Sequence, residues 1–180
     1  MLTFHTRIGA RSLIKDLNMQ ALTDKRREGL FSAVFIGFVF ILVAVVYFIN
    51  LSNNIWNSFV NFIGSFVLSQ VPGTGFSLPA PANPIAYTVL YNAAFEFCLG
   101  MGILEIAILT LRILMHSSLP RKAETIENLV FWLGTGYLVI TYLVNMTIMS
   151  EWFVFWAGII LIFGLALVAR AFVLLAGRHS

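Results

Sequence analysis

The sequence predicts an all-α fold: a polytopic integral membrane protein built as a four-transmembrane-helix bundle, with an N-terminal cytoplasmic interfacial helix and an external amphipathic segment between the first two spans. Three observations lead there: a composition too apolar for a soluble surface, four apolar runs of span length, and basic residues sorted to one side. Of 180 residues, 59% are hydrophobic and 11% charged, with a mean hydropathy of +0.91, whereas a soluble domain is roughly a quarter charged. Such a chain cannot cover itself with polar groups, and its length suits a single membrane domain over residues 1–180.

Residues 1–29 read as a cytoplasmic amphipathic and basic segment. At ~100° per residue, Ala10, Leu13, Ile14, Leu17 and Ala21 share one arc, edged by Arg7, Arg11 and Lys15. With Lys25, Arg26 and Arg27 these are expected to bind anionic lipid headgroups, at about 1 kcal/mol per basic residue. Asp16 and Asp24 argue against a transit peptide, and the first apolar run starts too far in and is too long for a cleaved signal. That run, residues 30–51, is the first span, matching the ~20 residues that cross a hydrocarbon core of ~30 Å.

In the external segment, residues 52–84, Asn54, Asn57, Asn61 and Ser65 continue from Asn50 at three- and four-residue steps among Trp56, Phe59, Val60, Ile63, Phe66 and Val67. This predicts a helix lying in the outer interface, with a re-entrant half-helix as the alternative. "VPGTGFSLPAPANP" then supplies four of the five prolines and reads as a loop, with Pro84 in the opening turn of the next helix. Residues 85–115 form the second span, 116–128 a cytoplasmic loop, 129–148 the third span, 149–151 an external turn, 152–176 the fourth span and 177–180 the tail.

The eleven basic residues set the orientation. Six precede the first span, Arg112, Arg121 and Lys122 follow the second, and Arg170 and Arg178 close the fourth, while 52–84 and 149–151 have none. Both termini and the middle loop are therefore expected in the cytoplasm, with the protein in the cell membrane. The basic pI, about 9.3, is accounted for by this sorting and not by a nucleic-acid partner.

Little catalytic or metal chemistry is visible. The single cysteine, Cys98, excludes an intramolecular disulfide and any CxxC pair. Cys98 and Met101, one turn apart, read as packing groups rather than soft copper ligands, and His5, His116 and His179 stand at no ligand spacing from one another. No phosphate loop, nucleophile elbow or HExxH occurs, so no cofactor, metal or enzymatic activity is expected. Asn50 and Asn145 begin glycosylation sequons, both close to the membrane. Small residues, among them Ala93 with Gly100 and Gly134 with Gly136, mark candidate close approaches between helices.

The second span carries two acids. Nine residues, or ~900°, separate Glu96 from Glu105, so they face opposite ways. Glu105 and Arg170 each fall about 16 or 17 residues in from the external boundary, roughly 25 Å deep, and are expected to form an ion pair between the second and fourth spans. Glu96 lies in the outer half, where no basic residue reaches it. Its neighbours in depth are Tyr137, Thr141, Tyr142 and Asn145 of the third span and Tyr47 and Asn50 of the first. A carboxyl so placed is either hydrogen-bonding glue between helices or a titrating group that handles protons or cations. Two functional expectations follow. One is a non-enzymatic accessory, scaffolding or self-assembling subunit, acting in a homo-oligomer or with a membrane partner. The alternative is a small proton or cation channel or transporter using Glu96.

Overall fold

A computed structural model describes residue 29 and residues 32–177. The headgroup-binding set Arg7, Arg11, Lys15, Lys25, Arg26 and Arg27 lies outside the described residues, as do His5, Arg178 and His179. The chain divides into two units, 1–41 and 42–180, and the packing given below belongs to the second. The described residues are mostly helical, and four helical stretches are long and apolar enough to cross a membrane: Ser32–Ile49 (α1), Pro84–Leu114, Leu119–Val144 and Ser150–Ala176 (α5). The second opens with a 3-10 turn, Pro84–Tyr87, and continues as α3, Thr88–Leu114. The third is α4, Leu119–Leu138, extended by a π-helical turn at Val139–Val144. A shorter helix, α2 (Ile55–Gly64), lies between α1 and α3 in the chain.

The segment between the first two spans departs from the expected single helix and loop. Helix α2 stops at Gly64, and a β-hairpin follows, β1 (Phe66–Gln70) pairing antiparallel with β2 (Ser77–Pro81). The reversal is a type II turn: Pro72 presets φ at its second position, Gly73 takes φ +74 at its third, and the Thr74 N–H bonds the Val71 carbonyl at 3.1 Å. Prolines 79 and 81 look hostile to a strand, yet their spacing admits them. The Val71 N–H bonds the Phe76 carbonyl and the Ala82 N–H bonds the Ser65 carbonyl, both at 2.9 Å, so the alternation leaves Leu68↔Pro79 and Phe66↔Pro81 as the pairs that exchange no hydrogen bonds.

The connection between α3 and α4 is also tighter than the sequence implied. Helix α4 starts at Leu119, ten residues ahead of the expected third span, with Pro120 in its first turn, where a missing N–H leaves no intrahelical bond unmade. Helix α3 ends in a Schellman arrangement: the Ser117 N–H bonds the Arg112 carbonyl, the His116 N–H bonds the Ile113 carbonyl, and His116 takes φ 52. A histidine in this left-handed conformation carries a steric cost that glycine lacks. His116→Gly is therefore expected to stabilise the protein by about 0.5–1 kcal/mol, seen as a raised melting temperature in detergent. A lowered one would mean that the imidazole has a compensating contact.

Helix α4 packs along both α3 and α5, while α3 and α5 scarcely touch. Two cores result. One gathers Ala80 of β2, Tyr91 of α3, Leu138, Val139, Leu143 and Met146 around the π-helical turn, and Trp152 and Phe155 of α5. The other joins Val46 of α1, Ile55 of α2 and Ala93 of α3, with Leu42 and Phe97 against them. Helix α2 touches both, through Ile55 at one end and Phe62 at the other, and the Tyr87 hydroxyl bonds the Asn61 carbonyl at 3.2 Å.

Candidate functional site

The two acids are placed by the two stripes of α3. Ala93, Phe97 and Gly100 recur at four and three residues and meet α1: Ala93 and Phe97 gather about Val46, and a Cβ on Gly100 would collide with a Leu42 methyl carbon. On the other stripe Cys98, Gly102 and Glu105, again at four and three, face α4. There a Cβ on Gly136 would stand 3.2 Å from that of Cys98, and one on Gly102 would stand 2.5 Å from Leu133. Glycine thus sets both interhelical approaches.

Glu96 belongs to the stripe facing α1. Its Oε2 accepts a hydrogen bond of 2.8 Å from the Asn50 side-chain amide, and the same amide bonds the Val46 carbonyl at 3.1 Å. Asn50 is buried and Glu96 half-buried, so the bond ties the end of α1 to α3. The polar neighbours expected from the third span do not gather here, because α4 docks on the opposite stripe. Tyr137 points outward at 65% exposure, Tyr142 joins the core around Trp152 and Thr141 is half-buried. Asn145 donates to the Ile140 carbonyl of its own helical turn at 2.9 Å.

Glu105, 2% exposed, faces α4 and takes a hydrogen bond from the Asn128 side chain, within the electrostatic reach of Arg112 and Glu124. Arg112 crosses from the last turn of α3 to the first turns of α4. Its Nη1 donates to the Arg121 carbonyl and, at 2.5 Å, to the buried Thr125 hydroxyl, with Glu124 4.0 Å away. The ion pair expected between Glu105 and Arg170 does not form. Arg170 instead donates to Glu127 of α4 at 2.9 Å, because α4 stands between the helices that carry the two residues. Arg170 does meet an acid, but on the neighbouring helix.

These α4 partners, Glu124, Thr125, Glu127 and Asn128, fall in the segment that the sequence alone assigns to a loop, where no depth attaches to them. The signal that could have found them is "SSLPRKAETIEN", a serine and a proline ahead of helix-forming Ala, Glu and Lys. Glu151 acts locally, its carboxylate accepting the Thr147 N–H at 2.6 Å and the Ile148 N–H at 3.3 Å and so organising the turn into α5. Among the described residues no three His, Cys, Asp or Glu side chains gather as metal ligands. Compared with known proteins, the chain matches no protein-family model, no curated protein and no solved structure.

Proposed function

We propose that this chain is a four-span integral membrane protein that acts without catalysis, by assembly, as an accessory, scaffolding or self-assembling subunit. Its termini and the α3–α4 turn face the cytoplasm of the cell, where every lysine and arginine of the chain then falls. One observation carries the reading: the charged groups within the apolar helices are engaged by their neighbours. Glu96 is held by Asn50, Glu105 by Asn128, Arg112 by Thr125 and the Arg121 carbonyl, and Arg170 by Glu127. Polar side chains so engaged act as interhelical glue, and the outward face of α5, with Ile160, Leu161 and Phe172 exposed, offers only apolar surface to lipid or to another helix.

The test is made on protein reconstituted in vesicles and on protein extracted from its own membrane. Proton flux above that of empty vesicles is expected for neither the wild type nor Glu96→Gln, and crosslinking in the native membrane is expected to give a stoichiometric oligomer or partner complex. Wild-type flux abolished by Glu96→Gln would replace this reading with the conducting one. A monomer without a partner would remove assembly as the function.

A further inference from the structure

A groove of about 270 Å³ runs between α1 and α3, lined by Val43, Val46 and Tyr47 of α1, Leu90 and Phe97 of α3, and Ile55, Trp56 and Phe59 of α2. We propose that it holds a single hydrocarbon chain of a membrane lipid, an inference that rests on the membrane reading above.

Helical periodicity builds the groove. Val43, Val46 and Tyr47 stand three and four residues apart on one face of α1, and Leu90 and Phe97 stand two turns apart on α3. Helix α2 completes the lining with Ile55, Trp56 and Phe59, and Ile55 packs with Val46 of α1 and Ala93 of α3. Val43, Tyr47, Trp56 and Phe59 are all exposed, so the groove is open along its side, toward the surface that the apolar helices give to lipid.

Size and chemistry choose the occupant. The groove's volume is about 270 Å³, and only apolar side-chain surface lines it. A flexible hydrocarbon chain can follow such a furrow to its floor, whereas a helix of a second protein, ~10–12 Å across with its side chains, could only lie over it. No lining residue carries a charge, and the chain has no Asp, Glu, Lys, Arg or His from residue 29 to residue 95, so nothing at the groove favours a charged ligand. A polar molecule would lose its hydration there without compensation.

The experiment uses the full chain in phosphatidylcholine vesicles doped with a lipid bearing a photoreactive diazirine on its acyl chain. After illumination, adducts are mapped by mass spectrometry. Labelling at Tyr47, Phe59 and Leu90 is expected to exceed that at the lipid-facing controls Ile160 and Phe172 of α5 by about tenfold, the ratio that a preference of ~1.4 kcal/mol gives. Two variants, Leu90→Trp and Val43→Trp, fill the groove from opposite walls, and each is expected to bring labelling at Phe59 down to the control level. Val43 is already exposed, so its variant decides the matter if Leu90→Trp fails to fold. Groove labelling no greater than at Ile160 and Phe172, or labelling that survives the filling, overturns the proposal. If α5 too remains unlabelled, the membrane reading falls, and this inference with it.

Discussion

Replacing Trp152 by alanine is expected to destabilise the protein by about 3 kcal/mol, the lower end of the range for removing a buried tryptophan. The indole is 3% exposed and its ring centroid lies 5.9–6.4 Å from those of Phe62, Phe66, Phe155 and Trp156. It therefore joins α2, β1 and α5, and its Nε1–H donates to the Pro79 carbonyl at 3.3 Å, fastening β2 to the helices. The lower end is chosen because, in the membrane setting proposed above, transfer of apolar groups from water is a weaker driving force, leaving lost dispersion contacts and the cavity as the main cost. Trp152→Phe keeps most of the ring packing and forgoes the hydrogen bond, so its expected cost is about 1 kcal/mol. Unfolding in detergent measures both. Hydrogen exchange adds a local readout: in the alanine variant, protection of the hairpin amides is expected to fall before that of α3 around Glu105. A loss under about 1 kcal/mol for Trp152→Ala would mean that the hairpin is held elsewhere.

Apolar run length made α1, α3 and α5 legible, because a continuous hydrophobic stretch needs no knowledge of its neighbours to be read as a helix. It failed at the start of α4, where Arg121, Lys122, Glu124 and Glu127 lower the hydropathy although the residues are good helix formers. It failed again after Gly64, where the helical spacing of Asn57, Asn61 and Ser65 continues into residues whose conformation is set by a partner strand and by the turn at Pro72 and Gly73. For the acids, helical geometry sufficed to put Glu96 and Glu105 on opposite faces of one helix. It could not say which helix each face would meet, since that follows from packing order. Asn50 was within reach of sequence reasoning because it closes the first apolar run, at the level expected for Glu96 on the second. Asn128 and Glu127 were not, because a loop assignment gives its residues no helical face and no depth.

Charge exchange separates the observed packing order from the one expected from depth alone. With α4 between α3 and α5, the single changes Glu127→Arg and Arg170→Glu each set like charges face to face, at a cost of roughly 2–3 kcal/mol. The side chains of Arg170 and Glu127 are 44% and 17% exposed, so solvent screening tempers both values. Combined, the two changes restore an opposite-charge pair between the same helices, and most of the lost folded yield is expected to return. Glu105→Arg is a harsher change. It buries a guanidinium against Asn128, in the field of Arg112, where breaking a buried polar contact costs about 3–5 kcal/mol. Adding Arg170→Glu cannot relieve it, because α4 separates the two side chains, and that double change also strips Glu127 of its partner. Folded yield after detergent extraction, scored by fluorescence size-exclusion chromatography, distinguishes the cases: recovery for the 127/170 exchange and none for the 105/170 exchange. Recovery in the second exchange instead would require α3 and α5 to meet directly at this depth, and the helix order on which both interhelical acid contacts depend would have to be redrawn.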